Sequence, residues 1–524
     1  MSSRALRREE SMRQSTVVGA VVAAVVVFLG VLGVAPAQAQ KYRLDELVIE
    51  QGADTASLDP QVEIDAVSIN VNSAIYEPLF RRDASGKVTP HLAESIRMLN
   101  DTTWELKLRK GVKFHNGEDF NAETVKFSIL RASDKTIKPA PRLGNYYTTF
   151  KTVEVLDPHT VHIITAGPDP IVVNRLTGAF GVMVPPNYIK QNGHAILQTK
   201  PVGTGPFKFV RWDKDERIVL DAFEGYWGRQ AEIRRVVFKP VPEVTARIAD
   251  LELGRADIVL DIPPDHVPRV SGSRNGRVES VLSSRNIHII LNTVAPGPIA
   301  SKGVRQALHH AVNVDSIIKN IMGGFGRRTT TLFVPESFGF STAIKPYPFD
   351  PKKAKALLAE AGYPNGFQVD LEFPSGRYLK GEEVAEVIIA QLSEVGITAR
   401  LQKFEWGTYV KRWRARNFGG LAFIGAGDIM LDADQLLTSR LISDASYGGF
   451  YKNPRMDELI LQGRKTLNQK ERLKIYQEVQ EIIREDCPIL PLYQQPSIYG
   501  VSKRIEWKPN ISEEIYVDTV KVVR

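Results

Sequence analysis

The hydropathy of the chain changes character once, near residue 40. Arg4, Arg7, Arg8 and Arg13 precede an unbroken run of small and apolar residues from Val17 to Val34, and Ala37-Gln38-Ala39 follows. A charged segment, an apolar core and an A-x-A site, in that order, predict a secretory leader over 1–39 that is cleaved near Ala39. A retained membrane anchor is the competing reading, because at about 1.5 Å per residue the run almost spans a hydrocarbon layer of roughly 30 Å. The small residues from Ala35 to Ala39 favour cleavage. No second apolar stretch of spanning length follows Gln40.

Beyond the leader, apolar and polar positions alternate with strand periodicity over 46–50, 103–108, 153–156 and 160–164, with Asp157-Pro158 turning between the last two. A hairpin is predicted from 205–212 and 217–223, and further strands over 235–241, 256–260, 368–373, 398–402 and 421–424. Helical spacing covers 71–76, 121–131 with Asn121 as its cap, 244–253 stopping at Gly254, 304–313, 351–361 ended by Gly362, 382–395 ended by Gly396, and 469–485. Interleaved strands and helices describe an α/β protein. About 485 residues after the leader are more than one hydrophobic core serves, so two or more domains are expected.

Composition narrows the picture. An apolar fraction of 43% with 24% charged residues is ordinary for a globular chain. The net charge of +8 is spread along the sequence, and the leader's four arginines and two glutamates account for two units of it. With export, that spread suits an acidic envelope and argues against a nucleic-acid partner. The single cysteine, Cys487, cannot form an internal disulfide and is expected to be a small buried residue where a helix gives way to a strand. No cysteine stands near the cleavage site to carry a lipid, so an outer barrier must retain the protein, which points to a Gram-negative periplasm.

Several catalytic patterns are absent. Gly203-Thr204-Gly205 is followed by Pro206-Phe207 and a strand, so it is no phosphate loop. His309 and His310 are helix neighbours that point apart, and His159 and His162 face opposite sides of a strand. No G-x-S-x-G elbow occurs. The chain is therefore expected to be a non-enzyme with no cofactor and no metal.

Blocks along the chain resemble a known family. They are His91 to Ser95, Trp104 to Gly117, Phe120 to Ser128, Gly203 to Val210, Gly225 to Gly228, Val304 to Leu308, Phe349 to Tyr363 and Pro488 to Tyr493. Their order is that of the periplasmic solute-binding proteins of peptide- and nickel-type ABC importers, and they span nearly all of 45–524. The resemblance implies a two-lobed α/β fold with a hinge and a small domain inserted in the first lobe. The first lobe would comprise 41–80, 200–295 and 496–524, the inserted domain 81–199, and the second lobe 296–495.

It also implies a function: capture of a small solute, expected to be a di- or oligopeptide, and delivery to an inner-membrane permease by a monomer that docks transiently. An opine, a sugar or a metal chelate is the alternative cargo, and a secreted hydrolase the alternative class. The family's dipeptide binders meet the ligand carboxylate with an arginine and its amine with an aspartate. Arg377 stands where that arginine occurs, against the bland reading of a surface loop. Asp428 is the amine candidate, with Asp432 and Asp434 as competitors. Trp406 resembles a pocket-wall aromatic or is ordinary core, Tyr378 adjoins Arg377, and Gly52, Ala53 and Asp54 would bring backbone groups of the first lobe to the cleft.

Overall fold

One continuous sheet of eleven strands organises the protein. Across it run Ile397–Phe404, Phe367–Pro374, Leu421–Gly427, Gly276–Leu291, Ile489–Ser502, Ile258–Val259, Leu44–Gln51, Ile233–Pro240, Arg217–Ala222 and Phe207–Asp213, with Arg327–Arg328 added beside Ile489–Ser502. The computed structural model describes residues 42–445 and 447–523. Leu44–Arg524 form one compact unit. The expected leader lies outside the described residues.

The two longest strands are a seam. Gly276–Leu291 and Ile489–Ser502 pair antiparallel, but their register slips between Leu282 and Asn286. On one side of the slip, 276–282 pairs with 496–502, and Ile258–Val259 continues the sheet toward Leu44–Gln51. On the other side, Asn286 to Ile290 pairs with 489–494, and Leu421–Gly427 continues it toward Phe367–Pro374. Ser283, buried at the slip, donates its hydroxyl to the Gln495 carbonyl at 2.9 Å. Three residues, 283–285, stand opposite Gln495 alone, a two-residue irregularity in the ladder. Beyond it 286–291 is buried on both faces, so no alternation marks that part of a strand the pattern reading left unassigned.

Parallel strands need crossover connections, and helices Gly381–Ser393 and Trp406–Arg414 supply them on the far side of the seam. Strand Leu421–Gly427 is buried on both faces over its first six residues, which explains an apolar run without alternation. It extends three residues past the predicted end at Ile424.

A separate antiparallel sheet orders Ala93–Asn100, Thr103–Leu108, Thr160–Thr165 and Phe150–Asp157. Helix Ala122–Ser133 packs on it and begins as predicted. The Asn121 side chain accepts from the Glu123 and Thr124 amides, and Thr124 Oγ1 accepts from the Asn121 amide. The long helix Gln469–Asp486 starts at Asn468 and ends on Cys487, a buried residue in left-handed conformation at φ 52°. Burial pushes the Cys487 thiol up to about 12, so it behaves as the small hydrophobe expected. Among the described residues no helix is long and apolar enough to cross a membrane.

Candidate functional site

Arg377 is placed by a sharp exit from the sheet. Strand Phe367–Pro374 ends at a proline, Gly376 turns with φ 67°, and Lys380 adopts φ 52° before helix Gly381–Ser393 begins. This loop leaves Arg377 exposed while Tyr378 is 8% exposed beside it. The guanidinium lies 4.9 Å from the Trp406 ring centre and 5.8 Å from that of Tyr378. Loss of hydration and then the neighbouring Arg285 hold its pKa below the usual arginine value.

Gly425 makes the approach possible. A Cβ there would stand 2.7 Å from Tyr378 Cε1 and 3.2 Å from Arg285 Cδ. Only glycine lets strand Leu421–Gly427 pass beneath both side chains. Arg285 projects from the slipped part of the seam, opposite Gly427 in register, and its Nη2 donates to Glu513 Oε2 at 2.8 Å. Glu513 also accepts from Ser497 Oγ at 3.0 Å. Burial raises the Glu513 pKa, but Arg285 and the serines more than reverse this and leave it lowered. Exposed Asp261, in left-handed conformation at φ 58°, completes the group. Burial raises its pKa, while Arg247, Arg285 and Arg377 oppose that shift. Arg285, Arg377, Glu513 and Asp261 thus sense one another from segments that are remote in sequence.

An aromatic wall continues from Arg377. Trp406 stacks on Tyr409 at 6.1 Å, and Trp413 packs on Tyr447 at 5.2 Å. Trp406, Tyr447 and the fully buried Tyr409 belong to one apolar cluster with Trp413 and Phe418. Trp406 is half-buried and packs against this core cluster. Arg440 lies at the far end, 4.0 Å from the Trp413 ring centre and 5.3 Å from that of Tyr447. It sits in a π-helical turn, Leu437–Leu441, which no periodicity signalled.

The acidic candidates are more enclosed than expected. Asp428 is 0% exposed. Its carboxylate accepts from Ser337 Oγ at 2.5 Å and from the Asp432 amide at 3.2 Å. Burial, followed by the like charge of Asp432, pushes it up to about 7. Asp432 grips the buried Arg472 at 2.7 and 2.5 Å, and Asp434 faces Arg464 at 3.3 Å. Asp432 and Asp434 are thereby committed to the interior. Over Asp428, Arg82 and Asn174 both donate to the Met430 carbonyl, the latter at 2.7 Å. The structure does not bring Asp428 to an open surface beside Arg377. The Asp54 side chain is tied to Trp212 Nε1 and to the Asp215 amide, each at 2.9 Å, while Gly52 is half-buried and Ala53 exposed.

Sequence reasoning missed Arg285, Glu513, Asp261 and Arg440. None has a local motif, and only the pairing of distant strands assembles them. The histidines are structural: His309 Nε2 meets the Ile489 carbonyl at 2.9 Å, and burial drives its pKa down to about 3. Among the described residues no group of three His, Cys, Asp or Glu side chains could hold a metal ion.

A sheet divided at a seam, with charged and aromatic groups converging there from both parts, is the architecture of a two-lobed solute-binding protein. Residues 87–448 match the model for the middle part of the bacterial extracellular solute-binding proteins, family 5, and the chain belongs to that family. The glutathione-binding protein GsiB of Escherichia coli is 31% identical over 477 residues, covering 88% of this chain and 91% of that one. The ABC transporter-associated periplasmic binding protein DppA of Helicobacter pylori, solved with the peptide STSA, is 30% identical with a TM-score of 0.79, covering 92% of this chain and 99% of that one. HbpA2 of Haemophilus parasuis is 26% identical with a TM-score of 0.79, covering 92% and 100% respectively. The protein is the substrate-binding component of an ABC importer and not an enzyme. It captures a small solute between two lobes and delivers it to a membrane permease.

Proposed function

We propose that the solute is a short peptide, held in the periplasm after cleavage of the leader near Ala39, by a monomer. The observation that carries this reading is Arg377, a guanidinium set against the Trp406 ring that makes no ion pair among the described residues. Arginine grips a carboxylate with two parallel hydrogen bonds, and desolvation strengthens them. The relatives named for glutathione and the neighbour solved with a peptide support the same class.

Asp428 receives the amine in this reading. It is buried with no ion-pair cation among the described residues, and two accepted hydrogen bonds leave half of its acceptor capacity free. Opening of the lobes would uncover it by parting Arg82 and Asn174 from Met430. We place the lobe divisions at 81, 200, 296 and 496, with the slipped register between 282 and 286 as a flexing point. Gly52 and Ala53 would offer main-chain groups to an extended ligand.

Titration calorimetry with a panel of di- and tripeptides tests the reading. Arg377→Ala is expected to weaken the tightest peptide by about 2 to 4 kcal/mol, and C-terminal amidation of that peptide by a similar amount. Affinity unchanged by either would remove Arg377 from the site.

A further inference from the structure

Arg440 is a part-buried cation in which two guanidinium nitrogens have no acceptor among the described residues. Nε and Nη1 are closed to solvent and lack a hydrogen-bond partner. The groups whose charge it senses are tyrosines, namely Tyr378, Tyr146, Tyr447 and Tyr409. Its close neighbours are the ring faces of Trp413 and Tyr447. Ring faces return only part of what it costs to bury an ion. The residue as a whole is part-buried. The π-turn that carries it is a rare geometry that recurs at functional sites.

Its position relative to Arg377 is set by one helix. Trp406, Tyr409 and Trp413 fall at i, i+3 and i+7 of Trp406–Arg414 and make a single stripe. Arg377 caps the Trp406 end of that stripe and Arg440 the Trp413 end. Seven residues of helix rise about 10 Å. An extended chain advances about 3.4 Å per residue, so two carboxylates this far apart belong to a molecule two or three residues long.

We infer that Arg440 is the subsite for a second carboxylate, so that the solute is a di- or tripeptide bearing one acidic group besides its C-terminus. This deepens the peptide reading above and rests on it. The C-terminal carboxylate goes to Arg377 and the additional one to the guanidinium of Arg440.

Calorimetric titration decides it. The probes are tripeptides that differ only by Glu against Gln at one position, and glutathione against its glycine ethyl ester. Wild-type protein is expected to prefer the dicarboxylate of at least one pair by about tenfold or more. Arg440→Gln is expected to erase that preference. Arg440→Lys, which keeps the charge on a less directional group, is expected to retain part of it. Equal affinities within every pair for the wild type would overturn the inference, as would an Arg440→Gln variant that weakens both members alike. Should Arg440→Gln fail to fold by calorimetric melting, the wild-type comparison and the lysine variant carry the decision. If the protein binds no peptide at all, the peptide reading itself falls; if it binds peptides without regard to the second carboxylate, only the role of Arg440 does.

Discussion

Two arginines on the same side of the seam, Arg472 buried and Arg440 part-buried, show how an interior differs from a site. Arg472 is 1% exposed in its side chain. Asp432 holds both of its terminal nitrogens, its Nε donates to the Gly463 carbonyl at 3.1 Å, and Phe338 and Tyr476 lie 4.8 Å from its centre. Arg440 has comparable aromatic company and none of these acceptors. Burial pulls its pKa down to about 10, whereas the Asp432 carboxylate keeps that of Arg472 well above the arginine norm despite burial. A satisfied charge in the core fixes a fold, and an unsatisfied one at a cleft is held ready for something else. The acids divide similarly. Asp59 is locked to Arg131 at 2.5 Å, while Glu50 has only Lys239 at 3.8 Å and Asp428 has Arg82 nearby without an ion pair among the described residues.

The contrast breaks first at Arg472. Arg472→Ala strands the Asp432 carboxylate and should cost about 3 to 5 kcal/mol in urea unfolding. A loss below 1 kcal/mol would mean the pair contributes little to the fold. Glu50→Gln comes next. Neither Glu50 oxygen has a hydrogen-bond partner, Lys239 stands 3.8 Å away, and burial and then Asp250 push the carboxyl up to about 7. The folded state therefore binds more protons than the unfolded one between about pH 4.5 and 7, and stability falls as pH rises through that window. Glu50→Gln should gain about 1 to 3 kcal/mol at pH 8 relative to wild type and nothing at pH 4, read by calorimetric melting. A gain independent of pH would show that charge is not the cause. The smallest effect is expected at Asp428. Its carboxyl titrates near 7 without ligand, so peptide affinity should decline as pH drops below 7, by up to about tenfold per unit. Asp428→Asn should remove that slope in calorimetric titrations, and an unaltered slope would assign the amine elsewhere.

Much of the architecture was legible in the sequence because it is local. The cap at Asn121, the stop at Gly396 with φ 93°, and the helix from 469 each depend on residues within a few positions. The seam was not legible, because 286–291 is buried on both faces and carries no alternation to mark a strand. Arg377 and Trp406 were nominated through the family resemblance. Arg285 and Glu513 were not, since the pair joins residues 228 positions apart and neither lies in a motif. Arg440 was invisible for a different reason: its significance is the absence of a partner, which only packing reveals. Asp428 was placed correctly beyond a strand end, but its enclosure by Ser337 and the Asp432 amide follows from tertiary contacts alone.

The central claim is that this cleft holds a short peptide with two carboxylates and releases it unchanged. Mass spectrometry of the solute freed by mild denaturation from the protein purified out of the periplasm tests it most directly. The account predicts a di- or tripeptide with one acidic group beyond its C-terminus, whose mass stays constant through days of incubation with the protein. A neutral sugar, a metal chelate or a peptide that is cleaved on standing would contradict it.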